Sequence, residues 1–364
     1  MITLEVNLKN AENNFNYVKS LTDKKILCVV KSNAYGHGIV LSKLFASSGA
    51  RAFVVAEAEE AFTLRNIGID KDILITNYVE PKRLEEIFKL NVSVGLIDYS
   101  YAETVNEFAR KLGVKIKAHI AFDTGMHRFG FSCKKDEIQK AYEVFEMKNL
   151  SITGLYTHFS CSDKPNDAYT KMQINSFYNL KKRFKDKRLF THASSSSALI
   201  NYKSIKEDGV RAGLILYGGI KGVPVNPPFT FKTIICSVKD LSLGDKLGYG
   251  GYPLCRNKKI AIIPVGYDNG FFPQSEKYRV TVNGKKAPVI GRVCMNHSFI
   301  DVTDVNVKVG DEVIVLKTAE DLFALSEAQN VSVYQTLCFL GRQNARFVKY
   351  VGSPKSNLPK SNLP

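Results

Sequence analysis

The chain has 364 residues, 45% of them hydrophobic and 24% charged, and its 51 Lys and Arg against 35 Asp and Glu leave a net charge of +16. That length is enough for two domains with real cores, and the composition excludes general disorder. No apolar run approaches the roughly 20 residues of a membrane span, and the basic residues are interleaved with acidic ones, so neither a membrane nor a nucleic acid is the expected partner.

Seven cysteines include no CxxC pair. This argues against a disulfide framework or a zinc site and fits a reducing compartment. His158 and Cys161 have an HxxC spacing but no second ligand pair, so no metal is expected. The first residues, Met1-Ile2-Thr3-Leu4-Glu5-Val6, lack the pattern of a signal peptide, so a cytoplasmic location is expected.

In chain order, Ile2 to Val6 alternate like a strand. Asn10 to Leu21 place Ala11, Phe15, Val18 and Leu21 on one helical face. Short apolar runs follow at 26–31, 52–56, 73–76, 92–98, 115–123, 152–159, 189–195 and 209–217, most of them separated by helical periods. One such period, Ser100 to Leu112, aligns Ala102, Val105, Phe108, Ala109 and Leu112. Eight strands alternating with helices predict α/β with a parallel sheet, and eight is the number that closes a (β/α)8 TIM-type barrel. A doubly wound open sheet is the alternative, although no GxGxxG follows the first strand.

After Gly219 the texture changes. Pro224, Pro227 and Pro228 mark a connection, and β-type runs follow at 231–238, 258–265, 278–282, 287–294, 298–302 and 312–317. Asn283-Gly284 predicts a tight hairpin turn. Helices are expected again at about 319–340. The domains expected are a barrel over 9–222 and a mainly β domain from 1–8 and 223–350. The tail 351–364, which repeats Lys-Ser-Asn-Leu-Pro, is expected to be disordered.

In a parallel barrel, functional groups gather where strands end. The first apolar run ends at Lys31, and an amine in such a position suits a Schiff base, because burial lowers its pKa. The fifth run leads into Asp123-Thr124-Gly125-Met126-His127-Arg128, the sixth into Thr157-His158, the seventh into His192-Ala193-Ser194-Ser195-Ser196-Ser197, and the eighth contains Arg211. Each alone has a plainer account: a satisfied buried histidine for His192, a solvated loop for the serines, half of a surface ion pair for Arg128. Their joint placement on one rim points to a site. Hydroxyls and backbone N–H groups near a glycine suit a phosphate. A guanidinium such as that of Arg211 does not readily give up its proton, so it is a fixed donor.

Val30-Lys31-Ser32-Asn33-Ala34-Tyr35-Gly36-His37-Gly38 resembles the cofactor-lysine motif of the alanine racemase family. The resemblance extends over about residues 1–348. It implies pyridoxal 5'-phosphate carried on Lys31, with Tyr35, Ser196, Gly213 and Leu214 around its phosphate. Arg211 would face the ring nitrogen, and His158 would be bonded to that arginine. Gly248-Tyr249-Gly250 resembles the motif of the second catalytic base, which makes Lys31 and Tyr249 the two bases of an alanine racemase. Arg128 and Met295 match positions that bind the substrate carboxylate, and Tyr267 a tyrosine at the site entrance. The family further implies a homodimer with shared active sites acting on a small amino acid.

The sequence departs from the family pattern in three places. Ala121 stands where many members have a lysine, Asn296 where an aspartate is usual, and Gly341-Arg342-Gln343-Asn344-Ala345-Arg346 replaces Ser-Tyr-Arg-Val-Pro-Arg. The last removes a pocket tyrosine, which leaves a racemase for serine or a larger or basic amino acid as an alternative. A non-catalytic pyridoxal-phosphate carrier would resemble the barrel alone. A decarboxylase of the same barrel type would carry cysteine-aspartate or triple-glycine signatures, which are not seen.

Overall fold

The computed structural model describes residues 2–274, 276–341 and 347–352. Two compact units emerge. One comprises Phe15–Ala34 and Ile39–Leu216; the other comprises the chain up to Asn14, Tyr35–Gly38 and the chain from Tyr217 onward.

A first strand, β1 (Thr3–Asn7), precedes the barrel strands. These are β2 (Lys25–Val29), β3 (Ala52–Val55), β4 (Asp72–Ile75), β5 (Ser93–Leu96), β6 (Ile116–Asp123), β7 (Leu150–Tyr156), β8 (Phe190–His192) and β9 (Gly209–Ala212). All eight pair in parallel, in the order β5-β4-β3-β2-β9-β8-β7-β6, and β5 pairs with β6 to close the ring. Helices follow the strands, among them Leu41–Ser48, Tyr99–Lys111 and Ala168–Arg183. The expected barrel is therefore present, but most of its strands stop earlier than the apolar runs suggested. The eighth run, 209–217, splits at Gly213 into a strand and a short 3-10 turn, Leu214–Tyr217. Leu112 is exposed because its helix ends at Lys111 and Leu112 lies beyond the apolar stripe.

The barrel interior pairs glycines with large rings. A Cβ on Gly95 would lie 2.4 Å from the Tyr156 hydroxyl, and one on Gly154 would lie 2.5 Å from the His119 ring. These two glycines let a tyrosine and a histidine occupy space that aliphatic side chains fill in most such barrels.

The second unit is mainly antiparallel. Its further strands are β10 (Phe229–Ile234), β11 (Ser237–Leu241), β12 (Lys258–Ile263), β13 (Arg279–Val282), β14 (Lys285–Ile290), β15 (Ser298–Asp301), β16 (Glu312–Leu316) and β17 (Phe347–Val351). Among the described residues the sheet order is β11-β12-β15-β14-β13-β16-β10-β1-β17. Strand β1 is antiparallel to β10 and parallel to β17, and Leu4 and Val6 are buried while their neighbours are half-buried. The β13–β14 hairpin turns on Asn283 (φ 47) and Gly284 (φ 76), the left-handed pair that a two-residue turn demands. Helices Ala319–Gln329 and Val333–Gly341 complete the unit. No helix among the described residues is long and apolar enough to cross a membrane. Of the tail, residues 353–364 lie outside the described residues.

Candidate active site

Lys31 does not sit on the strand tip. Strand β2 stops at Val29, Val30 N–H still reaches the Val54 carbonyl at 3.0 Å, and Lys31 opens a turn of opposite hand. Ser32, Asn33, Ala34 and Tyr35 all have φ between 52 and 54. Four consecutive non-glycine residues in the left-handed region cost about 1–2 kcal/mol each, so their surroundings must hold them there. Glu60 accepts a hydrogen bond from Ser32 N–H, the Asn33 Oδ1 accepts from Ile39 N–H at 2.7 Å, and Ala34 N–H donates to the Val30 carbonyl at 2.8 Å.

Arg211 leaves β9 into a buried polar network. Its Nη1 donates to His192 Nδ1 at 2.8 Å and to the His192 carbonyl at 3.0 Å. Its Nη2 meets the Thr157 carbonyl at 2.7 Å, the Ala193 carbonyl at 2.8 Å and His158 Nδ1 at 3.0 Å. His192 Nε2 is 2.9 Å from His119 Nδ1. A guanidinium only donates, so His192 Nδ1 and His158 Nδ1 must accept. His192 then carries its proton on Nε2 and donates it to His119 Nδ1. Arg211 therefore sets the tautomer of all three rings.

Burial, with Arg211 beside it, pushes His158 down to about 3; Arg128 and Lys31 add to the effect. Burial likewise pushes His119 down to about 4. Tyr156 stacks on His192 at 5.0 Å, and its hydroxyl is pushed up to about 12 by burial. Among the described residues no acceptor meets the Arg211 Nε–H, which remains a donor for a ligand acceptor such as a ring nitrogen.

The serine loop is tied to the turn that follows β9. Ser196 Oγ accepts from Gly213 N–H at 3.0 Å and from Ile215 N–H at 3.2 Å. Two backbone N–H groups thus converge on one hydroxyl oxygen, the kind of convergence that an anion can also use. Leu214, expected to contribute its N–H, lies between these two donors, and Ile215 was not anticipated.

The loop carrying Arg128 is pinned by Asp123, which accepts from Gly125 N–H at 2.9 Å, His127 N–H at 3.0 Å and His127 Nδ1 at 3.0 Å. Arg128 itself is exposed, and among the described residues no ion pair holds it. Ala121 is buried on β6 and offers no polar atom to anchor it.

The second unit carries the remaining candidates. Tyr35 is buried, its ring stacked on Tyr217 at 4.8 Å. Gly36 has φ 82, and a Cβ there would lie 2.6 Å from the Leu337 carbonyl oxygen. This glycine of the motif thus serves packing of the helix Val333–Gly341. Tyr249 sits between Gly248 (φ 57) and Gly250 (φ 77) and is 70% exposed. Tyr267 N–H donates to the Cys294 carbonyl, and Asp268 N–H to the Met295 carbonyl, both at 3.1 Å, which joins the Tyr267 and Met295 loops. A Cβ on Gly266 would lie 2.1 Å from the Cys294 oxygen, so only glycine permits this approach. Asn296 Nδ2 faces Asp268 Oδ2 at 3.4 Å, so a carboxylate does lie at this place, on the neighbouring loop. Arg342 to Arg346, on which the argument for a different side-chain preference rested, lie outside the described residues.

Lys31, Arg128, His158, Ser196, Arg211, Gly213 and Leu214 belong to the barrel unit; Tyr35, Tyr249, Tyr267 and Met295 belong to the other. His119, Tyr156 and Glu207 were not singled out from the sequence, although His119 stands at a marked strand. The barrel unit alone offers an amine, a buried guanidinium and hydroxyls, donor types that suit an anionic ligand.

Comparison with known proteins agrees over both units. The family model described as alanine racemase, N-terminal domain, matches residues 6–221, and that described as alanine racemase, C-terminal domain, matches residues 228–348. The chain is 35% identical over 364 residues to a Clostridium perfringens protein named alanine racemase, covering 95% of this chain and 94% of the relative. It is 32% identical to a Methanococcus maripaludis protein of the same name, covering 95% and 98%. A solved structure of Clostridium difficile alanine racemase superposes with a TM-score of 0.90 at 29% identity, covering 96% of this chain and 95% of that one.

Proposed function

Because this chain belongs to the alanine racemase family, we propose that it interconverts L- and D-alanine, with pyridoxal 5'-phosphate held at the C-terminal ends of the barrel strands. The observation that carries the reading is Arg211, a buried cation whose two Nη groups are occupied by protein acceptors and whose Nε–H is left for a ring nitrogen. Lys31 would hold the cofactor at rest and would be freed as an amine when the amino group of the substrate takes its place; the cofactor so joined to the substrate would supply the electron withdrawal that acidifies the Cα–H bond. Arg211 would donate its Nε–H to the ring nitrogen and keep its proton, even with burial drawing it down to about 10. With that nitrogen unprotonated the withdrawal would be moderate, which would favour return of the proton to Cα over side reactions.

Ser196, Gly213 and Leu214, with the Tyr35 hydroxyl, hold the phosphate, and His158 backs Arg211. Lys31 removes or returns the Cα proton on one face and Tyr249 on the other; a single base would hand it back to the face it came from. Arg128 and the Met295 N–H hold the substrate carboxylate, and Tyr267 lines the entrance. In a single chain Tyr249, Tyr267 and Met295 are 70%, 50% and 54% exposed, which supports a homodimer in which each chain's β unit completes its partner's barrel. Cytoplasm is the proposed location.

The test is proton NMR of L-alanine and, separately, D-alanine in deuterium oxide with purified, cofactor-loaded protein, followed by chiral chromatography of the alanine recovered. Loss of the Cα proton with formation of the opposite enantiomer from either start is expected. Exchange without inversion, or no exchange, would reject the reading.

A further inference from the structure

Arg211 brings a positive charge into the barrel, yet the groups it bonds directly are three carbonyls and two imidazoles, all neutral. A buried cation with no counter-charge is costly. Glu207 lies in the loop before β9, and its side chain is wholly buried. Its Oε2 accepts from Ala193 N–H at 2.5 Å and from Ser194 N–H at 2.9 Å.

Those two N–H groups belong to particular peptides. The Ala193 N–H shares a peptide with the His192 carbonyl, which accepts from Arg211 Nη1 at 3.0 Å. The Ser194 N–H shares a peptide with the Ala193 carbonyl, which accepts from Arg211 Nη2 at 2.8 Å. Two peptide groups therefore stand in parallel between carboxylate and guanidinium, each donating to the one and accepting from the other. Hydrogen bonds in such a chain polarise one another in a low-dielectric interior. The second carboxylate oxygen, Oε1, takes the Ser194 hydroxyl and faces Lys24 Nζ at 3.7 Å.

We propose that Glu207 is the counter-charge of Arg211, joined to it through the His192–Ala193 and Ala193–Ser194 peptides, and that this link positions the guanidinium. The inference deepens the racemase reading, on which its catalytic consequence rests. Burial drives Arg211 down, and Glu207 is the strongest of the groups that oppose it; Tyr156 assists and Arg128 acts with burial. The other groups around the guanidinium are His192 and His158, both bonded to it, with the Tyr156 ring 5.8 Å away. A mere clamp on the serine loop would require an acceptor at Glu207 but no charge, and that difference can be tested.

In Glu207→Gln the amide oxygen can keep both peptide bonds, the Ser194 hydroxyl can turn to accept, and Lys24 can move to solvent, so chiefly the charge is lost. The readout is the Arg211 resonance of full-length, cofactor-loaded protein labelled at arginine Cζ, assigned by its disappearance in Arg211→Lys and titrated from about pH 7 to about 11. The Arg211 midpoint is expected to fall by about one unit or more in Glu207→Gln and to stay in place in Glu207→Asp, which keeps the charge. A midpoint unmoved in folded Glu207→Gln, or moved equally by Glu207→Asp, overturns the proposal. Lys24→Met, altered at a half-buried side chain, is the second variant should Glu207→Gln not fold. Removing that cation should move the midpoint upward, and an unmoved or lowered midpoint again overturns the proposal. Wild-type protein that takes up no pyridoxal phosphate would reject the racemase reading, while the Arg211 titration could still be read on the unloaded chain.

Discussion

The candidate residues of the two units are built on opposite principles. In the barrel, Arg211, His192, His158 and Ser196 are fixed by hydrogen bonds to one another and to the backbone, and most of them are buried. In the β unit, Tyr249, Tyr267 and Met295 are exposed on loops whose course is set by glycines. The first half is preorganised from within. The second offers its candidate side chains at a surface. Substitutions in the barrel should therefore disturb cofactor and fold together, whereas those on the β unit should touch the chemistry alone.

The largest effect is expected from Lys31→Ala. Racemisation should fall by on the order of 10⁴-fold or more, and the borohydride-reducible cofactor adduct should disappear. A persisting adduct, located on another lysine by peptide mapping, would remove Lys31 from its role.

Tyr249→Phe comes next. We expect a loss of about 10²–10⁴-fold in turnover with cofactor affinity retained and stability within about 0.5 kcal/mol, because the side chain has little to lose in packing. A large fall in melting temperature would show that the β unit is not the loose half described above.

Mixing these two variants sharpens the comparison further. If each β unit serves the partner's barrel, a mixed dimer has one site with both defects and one with neither. Random pairing makes about half of the dimers mixed, so roughly a quarter of wild-type activity should return. No recovery would place both bases on one chain.

The smallest effect is one of pH. His158 binds a proton near 3 and His119 near 4 in the folded chain, against 6.5 for the free side chain. Between these values the unfolded state holds more protons, so stability is complete above about 6.5 and is lost as pH falls toward 3. Denaturant midpoints across this window should decline less steeply in His119→Asn than in the wild type; equal slopes would remove His119 from the buried network.

Much of this was legible before any coordinates. Alternating apolar runs and helical periods carry the closed barrel, and Asn283-Gly284 carries its hairpin, because both are encoded by neighbours in sequence. What escaped was non-local or locally improbable. His119, Tyr156 and Glu207 join one network only once β5 to β9 close the ring; His119 stands at a marked strand, but nothing in the segments of Tyr156 and Glu207 marks those two. Lys31 was read as a strand tip because Ser32, Ala34 and Tyr35 are not residue types that favour positive φ. Strand ends were placed too late where, as at Gly213, an apolar run continues into a 3-10 turn.

That left-handed turn also bears on the order in which the protein is made. Its conformation is costly in isolation, and its C-terminal end is held by residues encoded much later: Tyr35 and His37 stack on Tyr217, His37 meets Phe229, and Gly36 lies against Leu337. Synthesis proceeds from the N-terminus, so the barrel strands are available long before these partners. The motif that carries Lys31 is therefore one of the last parts to settle, although it is among the first translated. Limited proteolysis should cut near Ser32–Gly38 in chains halted before residue 333 and spare the finished protein, and equal protection in both would contradict that order.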